Sequence, residues 1–280
     1  MTKEETNKNI TKDILLENYH KLSIQVSLNG LSFCVLDSIG KTLTQCKELS
    51  FGKELTPYEI QKKLKRFLRD NAIEDYAFSD VVIVHRNTLF SLVPQALFDK
   101  EEVANYLKFN AKILANDLIE YDEISSYDLV NVYVPFSNIN NYIYEVFGEF
   151  NFYHHGSILI QAILAAHKIS TEEICYVYIS EGEMDIIITG DKKLLYYNNF
   201  HFTTTEDFVY YLLFTLEQLK LDTRTIKLRL FGNVEEGDAL YTISHEYIQN
   251  VSIYLPANPE FLEDSVMPNS MNYLLINAFR

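Results

Sequence analysis

Positive charge is scarce in this chain: 24 lysines and arginines face 39 aspartates and glutamates, a net charge of −15 over 280 residues. Phosphate backbones are held by concentrated basic footprints, so no DNA or RNA partner is expected. Cysteine is scarce too. Cys34, Cys46 and Cys175 form neither a paired framework nor a CxxC knuckle, which suits a reducing cytoplasm and leaves disulfides unexpected. Long apolar runs are missing: the segment 156–166 contains Gln161 and falls well short of the ~20 residues a membrane helix needs. The N-terminus, with Lys3, Glu4, Glu5 and Lys8, lacks the apolar core of a secretory signal, so a cytoplasmic protein with no membrane contact is expected. Tryptophan is absent, and the abundance of Tyr and Phe carries no functional reading. No GxSxG, HExxH or Cys/His nucleophile pattern occurs, so no catalytic residue, metal site or cofactor is read from the sequence.

What is present is a folding chain. Apolar residues make up 48% and charged residues 22%, the balance of a globular protein, and the length suggests two lobes. Asn29-Gly30 divides the β-rich runs Leu22 to Leu28 and Leu31 to Asp37, which reads as a hairpin, with a third strand over Thr42 to Phe51. Thr56-Pro57-Tyr58-Glu59 forms a capping box with proline in the first helical position. The helix it opens places Ile60, Leu64, Phe67 and Leu68 on one face and ends near Asp70-Asn71. Val81 to Val84 reads as a buried strand, with Leu89 to Val93 as its hairpin partner. A helix is expected after Asp99, strands over Leu118 to Ile124 and Leu129 to Val134, a helix from Ser137 to Gly148, a strand over Phe150 to Tyr153 and an apolar helix over Ser157 to His167.

The second half repeats the opening: strands over Ile174 to Ser180, Met184 to Thr189 and Lys193 to Phe200, then a helix capped by Thr204 with Asp207 in third position. A strand (Ile226 to Phe231), a helix (Glu235 to His245), a strand (Val251 to Leu255) and a final helix (Met271 to Phe279) follow. Aligning Ser27 with Ser180 matches QVSLNGLSFCV to YISEGEMDIII with one residue inserted or deleted. An internal repeat of a whole supersecondary unit fixes the fold class more firmly than either copy alone. The division expected is a polar tail over 1–18, a first lobe over 19–170 and a second over 171–280.

Two tandem βββαβαβα lobes, with strands and helices inserted in the first, resemble the actin, sugar kinase and Hsp70 ATPase superfamily of RNase H-like α/β folds. The resemblance extends to its PilM-like pilus-assembly branch and, more narrowly, to a Bacteroidota family of unknown function. In active members the first hairpin reads Asp-x-Gly-Thr, its carboxylate organising magnesium and its glycine admitting the phosphates. The matching positions here are Ser27, Asn29 and Gly30, and the aspartate is missing. The second phosphate loop matches Ser180, Glu181 and Gly182, where Glu181 and Glu183 repel phosphate and no neighbouring Lys or Arg offsets them. The adenosine glycine pair survives only as Gly232. The resemblance therefore implies a degenerate nucleotide site and a protein that works as a protein-binding scaffold or adaptor. The alternative is an ATP-binding protein, ATPase or kinase holding magnesium through Glu181, Glu183 or Asp185.

Other candidates read as structure. His154-His155 lie in a strand pattern that sends them to opposite faces, so they are expected to be surface or satisfied core histidines. His85, beside Arg86, ends an apolar strand, where cleft residues lie in open α/β sheets, and is read as a turn residue, with contact to a ligand as the alternative. Lys62, Lys63, Lys65, Arg66 and Arg69 crowd the outer side of the Thr56-capped helix, either as a solvated face or as a docking site for an acidic protein, which could be the more acidic second half of another copy.

Overall fold

The computed structural model describes residues 19–108, 113–114, 117–255 and 273–279; the expected tail over 1–18 lies outside these residues. Two five-stranded sheets carry the chain. The first has the order β3-β2-β1-β4-β8, from β1 (His20–Val26), β2 (Gly30–Asp37), β3 (Thr42–Ser50), β4 (Asp80–His85) and β8 (Asn151–His154). The second has the order β11-β10-β9-β12-β13, from β9 (Ile174–Ser180), β10 (Glu183–Gly190), β11 (Lys193–His201), β12 (Lys227–Gly232) and β13 (Asn250–Ile253). In each, two antiparallel hairpins are followed by two parallel crossovers. The repeat seen in the sequence is thus a repeat of topology.

Each crossover helix buries one stripe. Helix α1 (Pro57–Asp70) starts at the predicted capping box, where Glu59 N–H donates to Thr56 Oγ1 and the Glu59 carboxylate takes the Thr56 N–H at 2.9 Å. Ile60, Leu64, Phe67 and Leu68 then pack on Ile24, Phe33 and Ile83 of the first sheet. Helices α3 (Ser137–Phe147) and α5 (Thr205–Gln218) do the same on the first and second sheets, and α5 has its own capping box at Thr204 and Asp207. Helix α6 (Ala239–Tyr247) joins α5 on the second sheet.

The opposite faces of the two sheets share other helices. Helix α4 (His155–Ala166) places Ile158, Leu159, Ile160 and Ile163 against both Val82 and Val84 of β4 and Tyr176 and Ile187 of the second sheet. The C-terminal helix α7 (Tyr273–Asn277) returns to the first sheet, where Leu275 and Ile276 pack with Cys34, Leu36 and Leu43.

Several expectations need correction. The strand over Leu89 to Val93 does not pair with β4. It is β5 (Phe90–Pro94), which pairs with β7 (Leu129–Tyr133) in a separate three-stranded sheet completed by β6 (Glu120–Ile124). The helix after Asp99 shortens to a 3-10 turn and the five-residue α2 (Val103–Leu107). Cys34 and Cys46 are joined as a disulfide, and only Cys175 of the three is a free buried thiol. A register shift between Val35 and Leu36 creates that pairing, because it inserts one residue and brings Cys46 opposite Cys34. Sequence spacing alone, continued from the turn, would have placed Gln45 there.

Candidate functional site

The two repeated hairpins meet. Ser27 pairs with Gly30 across a two-residue connection, Leu28-Asn29, and Ser180 pairs with Glu183 across Glu181-Gly182. The repeats therefore align without the expected insertion, and Gly30 opens β2 instead of forming the turn. Only Gly182 needs glycine's freedom there, at φ +66.

Both hairpins spend their polar groups on the protein itself. Gly30 N–H donates to Ser27 Oγ at 3.0 Å, and Ser27 O–H donates to Asn29 Oδ1 at 2.6 Å. Asn29 Nδ2 donates to the Glu181 carbonyl at 2.9 Å, fastening one hairpin to the other. Gly232, at φ +91, lies so close to β9 that a Cβ would collide with the Ile179 carbonyl, and Asn233 N–H donates to that same oxygen at 2.8 Å. This glycine fits strand to strand.

Beneath the hairpins lies an ion cluster. Arg86, following β4 and 2% exposed, donates through Nε to Glu183 at 2.7 Å and through Nη2 to Asp185 at 2.8 Å. A basic residue thus does offset Glu183, against the sequence reading. It comes from the other sheet, 97 and 99 positions away, so no local pattern could show it. Asp185 Oδ1 also takes His155 Nε2 at 2.9 Å, Tyr197 O–H at 2.9 Å and Asn199 Nδ2 at 3.1 Å. Burial alone would raise the Asp185 pKa; Arg86 and His155 overcome that and hold the carboxyl well below the usual range. Arg86 ends where the sequence signal lay, at the C-terminal end of a parallel strand, and the i, i+2 spacing of Glu183 and Asp185 on β10 is the matching signal.

The carboxylates proposed for magnesium are not gathered. Glu183 and Asp185 are engaged by Arg86, while Glu181 lines a different hollow with Lys53 and His201. Among the described residues no group of three or more His, Cys, Asp and Glu is placed to hold a metal.

His85, His154 and His155 are internal. His154 closes β8 and His155 opens α4, so the two rings sit 4.3 Å apart and not on opposite faces of a strand. His154 Nδ1 accepts the Gly156 N–H and Nε2 donates to the Asn87 carbonyl, which fixes a neutral ring; burial holds its pKa well below the ordinary value. His85 bridges Asn140 Oδ1 at 2.9 Å and Phe136 N–H at 3.3 Å, and burial lowers its pKa to about 4. It positions the start of α3 and is buried, not a surface turn residue.

Beside Arg86 opens a groove of about 550 Å³ that the sequence reading missed. Leu28, Leu55, Pro57, Leu89, Val134 and Phe136 supply its apolar lining; Glu54, Asp117 and Glu183 line it as well. Arg86 also lines the groove, and its Nη1 is buried with no hydrogen-bond partner among the described residues. The basic face of α1 begins next to the groove at Pro57. Lys62 lies over the Tyr58 ring and Lys65 over Tyr142, Arg66 pairs with Asp70, Arg69 approaches Glu74 at 3.8 Å, and Lys63 is exposed.

Comparison with known proteins agrees with this architecture. Residues 9–251 match the family described as Protein of unknown function (DUF3822), and the chain belongs to that family. No curated protein matches it. Among solved structures, it is similar to a Bacteroides thetaiotaomicron VPI-5482 protein with an actin-like ATPase fold and unknown function, at TM-score 0.75 and 23% identity, covering 94% of this chain and 98% of that one. It is also similar to the PilM-PilN type IV pilus biogenesis complex, at TM-score 0.58 and 11% identity over 92% and 96% of the two chains. The fold is the actin-like ATPase fold. Among the described residues no helix is long and apolar enough to cross a membrane.

Proposed function

We propose that this member of the DUF3822 family is a catalytically degenerate actin-like protein that serves in the cytoplasm as a protein-binding scaffold or adaptor, taking an extended segment of its partner in the groove beside Arg86. One observation carries the reading. The Arg86 guanidinium is committed to Glu183 and Asp185 on two of its nitrogens, and the third is buried with no acceptor among the described residues, in a side chain that lines an apolar groove.

That setting defines the occupant. With two carboxylates already on Arg86, the remaining N–H suits an uncharged acceptor such as a peptide carbonyl. The Glu54, Asp117 and Glu183 carboxylates favour a basic residue beside the apolar stretch, as does the net charge of −15. A buried cationic N–H without an acceptor costs about 1–3 kcal/mol, which a carbonyl reaching it recovers. The exposed cations of α1, starting at Pro57, offer a second contact for an acidic part of the partner or of another copy. The likeness to a fold found in a PilM-PilN complex supports protein partnership as the class of function.

The nucleotide alternative is tested by thermal shift. Saturation with Mg-ATP at a hundred times its dissociation constant would add ~2.7 kcal/mol, or about 5 °C at this size. No rise is expected. A saturable rise, lost when Glu181, Glu183 and Asp185 are changed to alanine, would establish nucleotide binding instead. Peptide display against the whole protein tests the groove: apolar sequences with a basic residue should be enriched, and their binding should be lost in Phe136→Ala.

A further inference from the structure

We infer that Arg86 couples occupancy of the groove to the fastening between the two sheets, so that the partner tightens the β9–β10 hairpin against the first sheet as it binds. This rests on the peptide-binding reading of the groove. The argument begins with the three nitrogens of one planar group. Nε and Nη2 end on Glu183 and Asp185, both on β10 of the second sheet, whereas Arg86 itself is fixed to the first sheet by its N–H donating to the Val26 carbonyl at 2.9 Å. Nη1 is buried with no acceptor among the described residues, in a side chain that lines the groove. A guanidinium is rigid, so the orientation set by two carboxylates on one edge fixes where the third nitrogen lies.

The ring of partners behind Asp185 makes that orientation definite. His155, Tyr197 and Asn199 all hold Asp185 Oδ1, leaving Oδ2 for Arg86. Gly156, next to His155, has no room for a methyl group because a Cβ would meet the Tyr197 ring and hydroxyl at 2.5–2.8 Å. A shift of Asp185 therefore moves Nη1, and a load on Nη1 is transmitted to Asp185. Asp185 itself does not line the groove. By reciprocity, whatever weakens the Arg86–Asp185 pair weakens the partner by the same factor that the partner strengthens the pair.

The probe is a peptide selected by display on the wild-type protein, whose binding is lost in Phe136→Ala. Saturating peptide should slow amide exchange over residues 180–185 about tenfold, and Asp185→Asn should weaken the peptide by a similar factor. Tyr197→Phe, which removes one hydrogen bond to Asp185 and leaves the ring in place, gives the same measurement with a smaller loss if Asp185→Asn does not fold. A peptide that needs Phe136 yet leaves exchange of the hairpin unchanged, or binds the folded variants as tightly as wild type, overturns the coupling alone. A library that yields no peptide dependent on Phe136 overturns the peptide-binding reading, and the coupling with it.

Discussion

Replacing Arg86 with methionine should be among the most damaging single changes this fold can suffer. The side chain is 2% exposed, and the variant keeps most of its volume while leaving two carboxylates without their cation. At an effective dielectric of about 20, two ion pairs near contact distance are each worth ~4 kcal/mol before desolvation is charged against them. Glu183, at 15% side-chain exposure, can recover water, but Asp185, at 0%, cannot. His155, Tyr197 and Asn199 still hold one oxygen of Asp185, so the net loss expected is the ~3–5 kcal/mol typical of a buried pair broken on one side. At ~2 °C per kcal/mol this is a fall of about 6–10 °C in Tm at neutral pH. The deficit should shrink in acid, because an unpaired buried Asp185 can take a proton. Arg86→Met with Asp185→Asn should be more stable than Arg86→Met alone. Urea unfolding at pH 7 and pH 5 measures all three effects, and a loss below ~1 kcal/mol, or no rescue by the second change, would refute the assignment of this cluster as a buried ion network.

Leu216→Ala should cost ~2–5 kcal/mol in urea unfolding, because Leu216 is 1% exposed in the α5 stripe against the second sheet; a loss under half a kcal/mol would contradict that packing. Burial holds His85 at about 4, below its unfolded value near 6.5, so the unfolded chain binds the extra proton. Its contribution, up to ~3 kcal/mol, is present above pH 6.5 and is lost as pH falls towards 4, and His85→Gln should flatten that part of the stability–pH curve. Reversing Lys62, Lys63 and Arg66 to glutamate should leave the urea midpoint nearly unchanged, since their contacts with Tyr58 and Asp70 are local and solvent-exposed. A large shift would make them structural.

Local chemistry was readable where it was self-contained. The capping boxes at Thr56 and Thr204 and the inward stripe of α1 each depend on residues within a few turns of each other, and the repeat of hairpin and crossover shows as the same order of elements in both halves. The Asn29-Gly30 pair pointed to a hairpin but misplaced its turn by one residue, because Ser27 Oγ stabilises a connection that needs no left-handed residue. Pairing of β5 was misjudged because sequence neighbours usually pair, and here an inserted sheet competes for that strand. The site was the least legible part. Arg86 reads as a turn residue until β10 supplies Glu183 and Asp185, and the groove is assembled from six separate stretches of chain.

The return of α7 to the first sheet has a consequence for how the protein is made. During synthesis β1, β2 and β3 leave the ribosome before the second sheet, but among the described residues the surface around Cys34, Leu36 and Leu43 is covered by Leu275, Ile276 and Phe279, more than two hundred residues later. The first sheet must therefore wait with an apolar face open while the whole second sheet is translated, about ten to fifty seconds at 5–20 residues per second. That interval makes the nascent chain, more than the finished one, the form in need of a chaperone. It also means that a stop codon between residues 155 and 273 would strike the first sheet, although every strand of that sheet had already been synthesised.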